Sequence, residues 1–398
     1  MSNGLTPPPE FGVALVPEVD FAVKDPAVIQ SEVLANYEAE FLRLTGIVKN
    51  LAPGDPVRLH LLVVCNWLSH QRTIIDFTGK QNLLKYASGD FLDNLGALYG
   101  ERALRLPAAA AVTTLRFTLP IALAFDAVIP SGTQAQAPNS IIFATTEDGI
   151  LPAGVLTVDV PAEATLEGSI GNDLAPGQIN SLVNWNQPFS VTVSNTTTTS
   201  GGADEESDDQ YRYRIWLAPE SFSTCGPKEA YEFWALSAHP DIIQCVVYSA
   251  PAIAGEVWLY PLLRNGEIPS PEIQALVLAA CSAEDRRPIT DYVSVKTPSL
   301  VNYSLNMTYY ILRTNEVLFT TIKAAVEQAV ADWILWERSF ISRDLNGDEL
   351  RKRCLAAGAK RIVITTPNPS FVVRAYNELA VHTGTPAPII TFGGFEDE

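Results

Sequence analysis

At Pro107 the apolar period of this chain changes, and that change constrains the fold more than any single motif does. Upstream, Ile29, Val33, Tyr37, Phe41, Leu44 and Val48 recur every three or four residues and lay one apolar stripe along a helix. Asp25-Pro26 supplies its cap and first position. A second helix is expected over 57–77, with Leu61, Val64, Leu68 and Ile75 on one side, and a short third one after Asp90 carries Phe91, Leu95 and Leu98. Downstream, Leu115, Phe117 and Leu119 oppose Thr114, Arg116 and Thr118, the period-two pattern of a half-buried strand. Leu156, Val158 and Val160 repeat it, as do Phe189, Val191 and Val193. Turns at Pro130-Ser131-Gly132-Thr133, Asp148-Gly149 and Ala175-Pro176-Gly177 separate these strands.

From residue 204 the pattern mixes. Helices are expected over 204–217, 227–238 and 271–283, with strands over 242–248, 256–263 and 289–297. After Pro298, Val301, Tyr303, Leu305, Met307, Tyr309 and Ile311 alternate along one long strand, and Ile322, Val326, Val330 and Trp333 stripe a helix. A shorter helix over 348–357 then leads into a strand over 361–365. The reading is a multidomain α+β chain, since 398 residues exceed one ordinary core. It comprises an extended arm over 1–24 with a short strand over 11–16, a helical, bundle-forming domain over 25–106 and a mainly-β domain over 107–200. Two C-terminal α+β domains follow, over 201–298 and 299–398, the second ending in a frayed tail.

Charge and motif content narrow the function. With 45 acidic against 27 basic residues the net charge is −18, which argues against nucleic acid as a partner. Five widely spaced cysteines without a Cys-x-x-Cys pair are expected to be reduced and mostly buried. The first ten residues have no basic region followed by an apolar stretch, so no cleaved secretion signal is expected. The longest apolar stretch, over 119–130, is cut by Asp126 and by prolines and falls short of the roughly twenty residues a membrane span needs, so no membrane insertion is expected. Nucleotide-loop, zinc-protease and nucleophile-elbow motifs are all missing, and no two of the four histidines have helix-face metal spacing. Asp344-Leu345-Asn346-Gly347-Asp348-Glu349 mimics the start of a calcium loop, but Glu349 stands where glycine is required and Leu355 where the bidentate acid belongs. A turn whose Asp348 begins a helix is expected there instead. A glycoside hydrolase needs only two carboxylates, yet nothing marks a particular pair. No catalytic residue, cofactor or metal ligand is assigned.

One segment stands out. Gly201-Gly202 can take positive φ where the chain turns, and a helix is expected from Asp204, whose side chain would cap it. Glu205 and Glu206 then sit at the positive end of the helix dipole, and Asp208 with Arg212, and Gln210 with Arg214, lie one turn apart. Five carboxylates in six positions tempt a metal reading, but a run of acids along a helix does not converge on one ion.

This Gly-Gly-x-Asp-x-Glu-Ser-Asp stretch leading into Arg-x-Arg closely resembles the hallmark of the baseplate J-like family, wedge proteins of contractile phage tails and related injection machines. Three further stretches agree, in the family's order. Leu83-Leu84-Lys85-Tyr86-Ala87-Ser88-Gly89-Asp90-Phe91-Leu92-Asp93-Asn94-Leu95-Gly96, with Arg105-Leu106-Pro107, resembles its amino-terminal helical segment and exit. Gly168-Ser169-Ile170-Gly171-Asn172, followed by Pro176-Gly177, is similar to the glycine-marked turn of its β-domain. Glu284-Asp285-Arg286-Arg287-Pro288-Ile289-Thr290-Asp291-Tyr292-Val293-Ser294-Val295 resembles the stretch feeding its late strand. The resemblance marks Gly201, Gly202, Asp204, Glu206, Asp208, Arg212, Arg214, Arg286, Arg287, Pro288, Leu92, Asp93 and Gly96 as motif or interface candidates.

What it implies is a structural protein, not an enzyme. Two copies would join one copy of a second wedge protein through the helices between 25 and 105, and the units between 201 and 398 would make dimer and ring contacts. Six such wedges would ring a central hub and spike, meet the sheath initiator, and rearrange to release contraction. The chain would be assembled in the bacterial cytoplasm and reside in a virion or an extracellular contractile particle, whether phage, injection system or bacteriocin. The 201–215 segment would fix the angle between the β-domain and the assembly domains. The alternative is a β-rich adhesin or carbohydrate-binding tail protein, in which Trp185 with Asn184, Asn186 and Gln187 would stack on and hydrogen-bond a sugar.

Overall fold

The computed structural model describes residues 16–138, 140–183, 185–223, 225–249, 255–283, 286–384 and 387–397. The expected strand over 11–16, apart from its last residue, lies outside these, as do Asn184, Glu284 and Asp285. Two compact units emerge, one from residues 16–104 together with 211–216, the other from the described residues of 105–210 and from 217 onward.

The first unit is helical. Helix α1 (Pro26–Thr45) and helix α2 (Pro56–Lys80) each open on a capping aspartate followed by proline: Asp25 accepts from Ala27 N–H and Asp55 from Val57 N–H, both at 2.8 Å. Helix α3 (Asp90–Ala97) and a 3-10 turn over Glu101–Ala103 follow. A small core gathers Ala87, Leu92, Tyr211 and Ile215, with Leu84, Leu95 and Tyr99 against it. The long helices contribute little burial: α1 buries only Ile29, and α2 only Cys65 and Asp76.

Segment 16–25 lies along α2, held by charge. Asp76 Oδ1 accepts Phe21 N–H at 2.9 Å, while its Oδ2 meets Lys24 at 2.6 Å and Lys80 at 3.0 Å. Lys80 also reaches Asp20 at 2.8 Å, and Lys85 reaches Glu18 at 2.7 Å. The Lys24 ammonium, helped by Phe21 N–H and Lys80, holds the Asp76 carboxyl well below the usual carboxylate range. The Phe21 ring rests on Gly79, where an added Cβ would lie 2.6 Å from its Cγ.

The second unit begins with the β-domain: β1 (Ala110–Thr118), β2 (Ala127–Ile129), β3 (Gln134–Gln136), β4 (Ile142–Thr145), β5 (Gly149–Leu151), β6 (Thr157–Glu167), β7 (Ser181–Val183) and β8 (Thr192–Asn195). Six of them form a sheet in the order β7-β3-β4-β6-β1-β8, and β2 pairs with β5. The outer strands β7 and β8 meet, so the sheet curls toward a barrel around Leu115, Phe117, Ile129, Phe143, Val160 and Ile179. Alternation holds along β1: Leu115 and Phe117 are buried, while Arg116 faces out and forks onto Asp159 of β6 through two 2.7 Å bonds. The strand expected from Phe189 starts only at Thr192. The Phe189 carbonyl is taken by the Trp185 indole N–H at 2.7 Å, which leaves it unavailable to a ladder.

The remaining residues of this unit are α+β. Helix α4 (Asp208–Leu217), whose residues 211–216 count with the first unit, precedes α5 (Lys228–Leu236), β9 (Ile242–Ser249), β10 (Glu256–Leu263), α6 (Pro271–Ser282) and β11 (Tyr292–Val295). The sheet order is β11-β10-β9, with β11 parallel and β9 antiparallel to β10. Then come β12 (Ser299–Tyr303), β13 (Asn306–Leu312), α7 (Phe319–Arg338), β14 (Leu345–Asn346), α8 (Gly347–Ala356), β15 (Arg361–Thr366), β16 (Phe371–Val372), β17 (Glu378–His382) and β18 (Ile389–Glu396). Met307, Tyr309, Ile311, Val326, Val330, Trp333, Leu350 and Cys354 build the core here.

Three expectations are corrected in this region. The long strand over 301–311 is two strands in different sheets, β12 beside β17 and β13 between β15 and β18: the Tyr303 carbonyl accepts Thr383 N–H at 3.2 Å on one side of the break and the Leu305 carbonyl accepts Ile389 N–H at 2.9 Å on the other. Helix α8 begins at Gly347 and is capped by Asn346, whose side chain accepts from Asp348 N–H and Glu349 N–H at 3.0 and 3.4 Å, so Asp348 is a first-turn residue and not the cap. The tail expected to fray is β18, parallel to β13 through Glu396 and tied by an Arg361–Glu396 ion pair. All five cysteines are free thiols, four of them buried. Among the described residues, no helix is long and apolar enough to cross a membrane.

Candidate functional site

Gly201 and Gly202 do not form a loose exit. Ser200 and Ala203 exchange backbone hydrogen bonds with Val112 and Ala109, all between 2.8 and 3.2 Å, so the segment continues the sheet beside β1. Gly202 is gripped on both sides of its peptide: its N–H donates to Asn172 Oδ1 at 2.8 Å, and Asn172 Nδ2 donates to its carbonyl at 2.7 Å. A Cβ at 202 would stand 2.5 Å from the Gly168 carbonyl oxygen, so glycine is required by close approach. Gly201, at φ 83, turns its carbonyl to His239 Nε2 at 3.0 Å. The other nitrogen, Nδ1, accepts Asp241 N–H at 3.2 Å, which leaves the proton on Nε2 to be donated to Gly201. Beside it, burial raises the Asp241 carboxyl, against the pull of Arg264, its partner at 3.2 Å.

The acids are used differently from the expectation. Asp204 lies outside the helix and accepts from Ser169 N–H at 3.0 Å and Ser169 Oγ at 3.2 Å, joining the two glycine-marked stretches. Glu206 is buried and pairs with the arginine-proline exit: Leu106 N–H reaches its Oε2, Glu206 N–H reaches the Leu106 carbonyl, and Arg105 donates to the Glu206 carbonyl at 2.8 Å. The same guanidinium meets Asp208 at 2.8 Å. Ser207 begins the helix, through a reciprocal box in which its Oγ accepts Gln210 N–H and Gln210 Oε1 accepts Ser207 N–H, both at 3.4 Å. A Ser-x-x-Gln signal at 207–210 therefore outranks Asp204 as the start, because Asp204 is already committed to Ser169.

Within the helical unit, residues 211–216 of α4 engage the amino-terminal stretch. Arg212 Nε and Nη2 donate to the Leu84 and Ala87 carbonyls, both at 2.8 Å. Arg214 is fully buried and donates to the Arg102 and Leu104 carbonyls, its guanidinium 5.2 Å from the Tyr211 ring. The Tyr211 hydroxyl donates to the Ala103 carbonyl at 2.8 Å, in the space a side chain at Gly96 would need. Leu92 is buried in this core, and Asp93 sits half-buried in the first turn of α3. Tyr211 and Arg105 escaped the sequence reading; their signal was position, one inside the hallmark and one at the exit it quotes.

Arg286, Arg287 and Pro288 form their own cluster at the end of α6. Arg286 donates to the Ala280 carbonyl at 3.1 Å and stacks 4.0 Å above the Trp234 ring. Arg287 donates to the Ser282 carbonyl at 3.0 Å, an acceptor that the end of α6 leaves open, and to the Asp291 carbonyl at 2.6 Å just before β11. The Pro288 ring lies against Gly226.

The sites thus split into three clusters: one around Gly202, Asp204 and Glu206, one around Gly96 and Arg214, one around Arg287. In each, side chains bond backbone groups at turns, at helix ends or beside a strand edge. Two family models match the chain in order, the baseplate J-like protein barrel domain over residues 114–202 and the baseplate J-like central domain over residues 223–297. The chain carries the barrel and central domains of the baseplate J-like family. A baseplate protein J of Escherichia phage P2 is 26% identical to it over 205 residues, which are 52% of this chain and 66% of that protein, just under two thirds of its length. A cryo-EM structure of the anti-feeding prophage (AFP) baseplate, 6-fold symmetrised, aligns over 95% of this chain and 100% of its own at 10% identity and a TM-score of 0.41, a likeness too distant to carry weight.

In this baseplate J-like chain the barrel match stops at the clamped Gly202, and α4 falls between the two matched domains. Within the barrel, Trp185 is half-buried, bonded to Phe189 and stacked edge-on against its ring at 5.4 Å, which is core packing. Among the described residues no group of three or more His, Cys, Asp or Glu could hold a metal ion.

Proposed function

We propose that this baseplate J-like chain is a structural wedge component of a contractile tail or injection machine. The observation that carries the reading is the bare helical unit. Helix α2 leaves Leu59 53%, Val63 56%, Trp67 66% and Ile74 43% exposed at steps of four, four and seven residues, and Leu44 near the end of α1 with Ile47 and Val48 just beyond it are more than 60% exposed. Apolar surface stabilises by about 25 cal/mol per Å² once removed from water, so such helices gain most of their stability only in an assembly.

The partners proposed are further copies of the chain, paired within a wedge and joined between wedges in a six-fold ring, and a second wedge protein whose helices complete the bundle. Sheath initiator and central hub and spike would be neighbours, in a particle assembled in the cytoplasm, and the ring would transmit the trigger for sheath contraction. For the adhesin alternative, the Trp185 indole N–H is already taken by the Phe189 carbonyl and offers no bond to a sugar.

Co-expression with the neighbouring tail proteins, followed by electron microscopy of the intact particle, tests this. A ring position and co-purification are expected. A chain that stays monomeric and is absent from purified particles overturns the reading.

A further inference from the structure

Glu337, in the last turn of α7, has no exposed surface. Its Oε1 accepts Asn346 N–H at 2.9 Å, and no donor among the described residues reaches Oε2. No cation there stands within ion-pair distance of it. One turn earlier on α7, the buried Trp333 donates its indole N–H to the Asn346 carbonyl at 3.1 Å. Asn346 thus ties β14 to α7 through both sides of its backbone, while its side chain caps α8. A single buried carboxyl sits where α7, β14 and α8 meet.

The groups around it come from every neighbouring element. From β12, the Tyr303 hydroxyl is buried without a partner, and the Glu337 charge raises its pKa further after burial has done so. Beyond β16, Arg374 has a buried Nε without a partner while its backbone N–H is held by Asp344 at 2.8 Å. From β17, His382 packs edge-on to Tyr303 at 5.5 Å; its Nδ1 accepts Gly384 N–H at 3.0 Å, so its buried Nε2 carries the proton. Arg343, after α7, lies 4.0 Å from the Trp336 ring, and Arg353 of α8 is held by Glu349 at 3.0 Å, with Asp348, the other first-turn acid of α8, engaged by Arg351. The nearby arginines are committed elsewhere or short of the carboxyl. Burial pushes the Glu337 carboxyl up to about 7, against the Asn346 bond and the arginine charges.

We propose that Glu337 is a proton-dependent catch for the C-terminal region, neutral and closed at the α7–β14–α8 joint when protonated, and loosening that joint when its proton leaves to solvent. An ionised carboxylate there is a buried charge with one hydrogen bond and no counter-ion, the costly case for a protein interior. Because the folded-state value lies above the ordinary 4.5, the folded chain holds one proton more than the unfolded chain between about 4.5 and about 7. Stability falls as pH rises through that window and is flat, for this group, above it.

Hydrogen exchange of the 345–357 amides, with unfolding followed in parallel on the full chain, tests the catch from about pH 5 to about pH 8.5. Corrected for intrinsic exchange, opening of α8 is expected to rise up to about tenfold per pH unit across the window in the wild type and to stay level in Glu337→Gln. Matching profiles in the two proteins overturn the proposal. Should the variant fail to fold, infrared spectra of the wild type decide: a protonated carboxylic acid band present near pH 6 and lost by about pH 8.5 supports the catch, and its absence near pH 6 overturns it.

Discussion

The Tyr211 hydroxyl stands where any side chain at Gly96 would have to go, and it donates there to the Ala103 carbonyl. Helix α3, the 3-10 turn and α4 therefore meet through one hydroxyl. Gly96→Ala is expected to destabilise the helical unit by about 1–3 kcal/mol, the usual cost of overpacking. Tyr211→Phe alone should cost about 1 kcal/mol for the lost hydrogen bond. The double variant should recover only a minor part of the loss, since removing the hydroxyl lifts the tightest clash but leaves an added Cβ 2.6 Å from Tyr211 Cζ and 2.8 Å from the Ala103 carbonyl oxygen; strictly additive denaturation midpoints would refute this coupling.

Asn172 replaces a strand partner for Gly202 by offering one acceptor and one donor. Asn172→Asp keeps the acceptor and turns the donor into a second acceptor facing the Gly202 carbonyl. We expect a loss of about 1–3 kcal/mol by chemical denaturation, with Asn172→Ala similar. Gly202→Ala should cost at least as much, because the Gly168 carbonyl cannot withdraw as a flexible side chain can.

The strap over 16–25 should be sensitive to acid and salt. Asp76 is held well below the usual carboxylate range, so its contribution is complete above that range and is lost as pH falls through the lowered folded-state value. Limited proteolysis should cut the segment faster on acidification and at high salt, and Asp76→Asn should be cut quickly at neutral pH. An unchanged cleavage rate for the variant would rule out the ionic tether. Phe21→Ala should add to the effect by vacating its seat on Gly79.

Trp67→Glu and Leu59→Glu change exposed positions and are expected to leave the isolated chain's stability within about 0.5 kcal/mol. The same variants should fail to enter complexes formed on co-expression with the neighbouring tail proteins. Normal assembly by both would show that this face of α2 is not the docking surface.

Much of the fold could be read from the residues, because period and caps are local. Asp25-Pro26 and the alternation through Leu115 and Phe117 declare their helix and strand without help from distant contacts. The failures are places where a distant partner captured a local group. Asp204 has the chemistry of a cap but is claimed by Ser169, and the alternation through Leu305 persists in burial while the pairing partners change from β17 to β15 and β18. The tail over 392–398 carries two glycines and three acids that suggest fraying, and only the pairing with β13 makes its residues 392–396 part of a strand. The candidate residues were legible as a set, through their resemblance to one family. Their division into three clusters was not, because it depends on which backbone carbonyls each arginine reaches.

The arginines of those clusters have a consequence for the chain as a colloid. Arg105, Arg212, Arg214, Arg286 and Arg287 all direct their guanidinium groups at the chain's own carbonyls, and Arg214 has no exposed surface at all. Those five contribute little to the outward face, while the chain as a whole keeps a net charge of −18. Copies meeting side by side repel one another over about a Debye length, roughly 10 Å at 0.1 M salt. Raising ionic strength should then quicken the encounter between copies while weakening any partner that docks through cations.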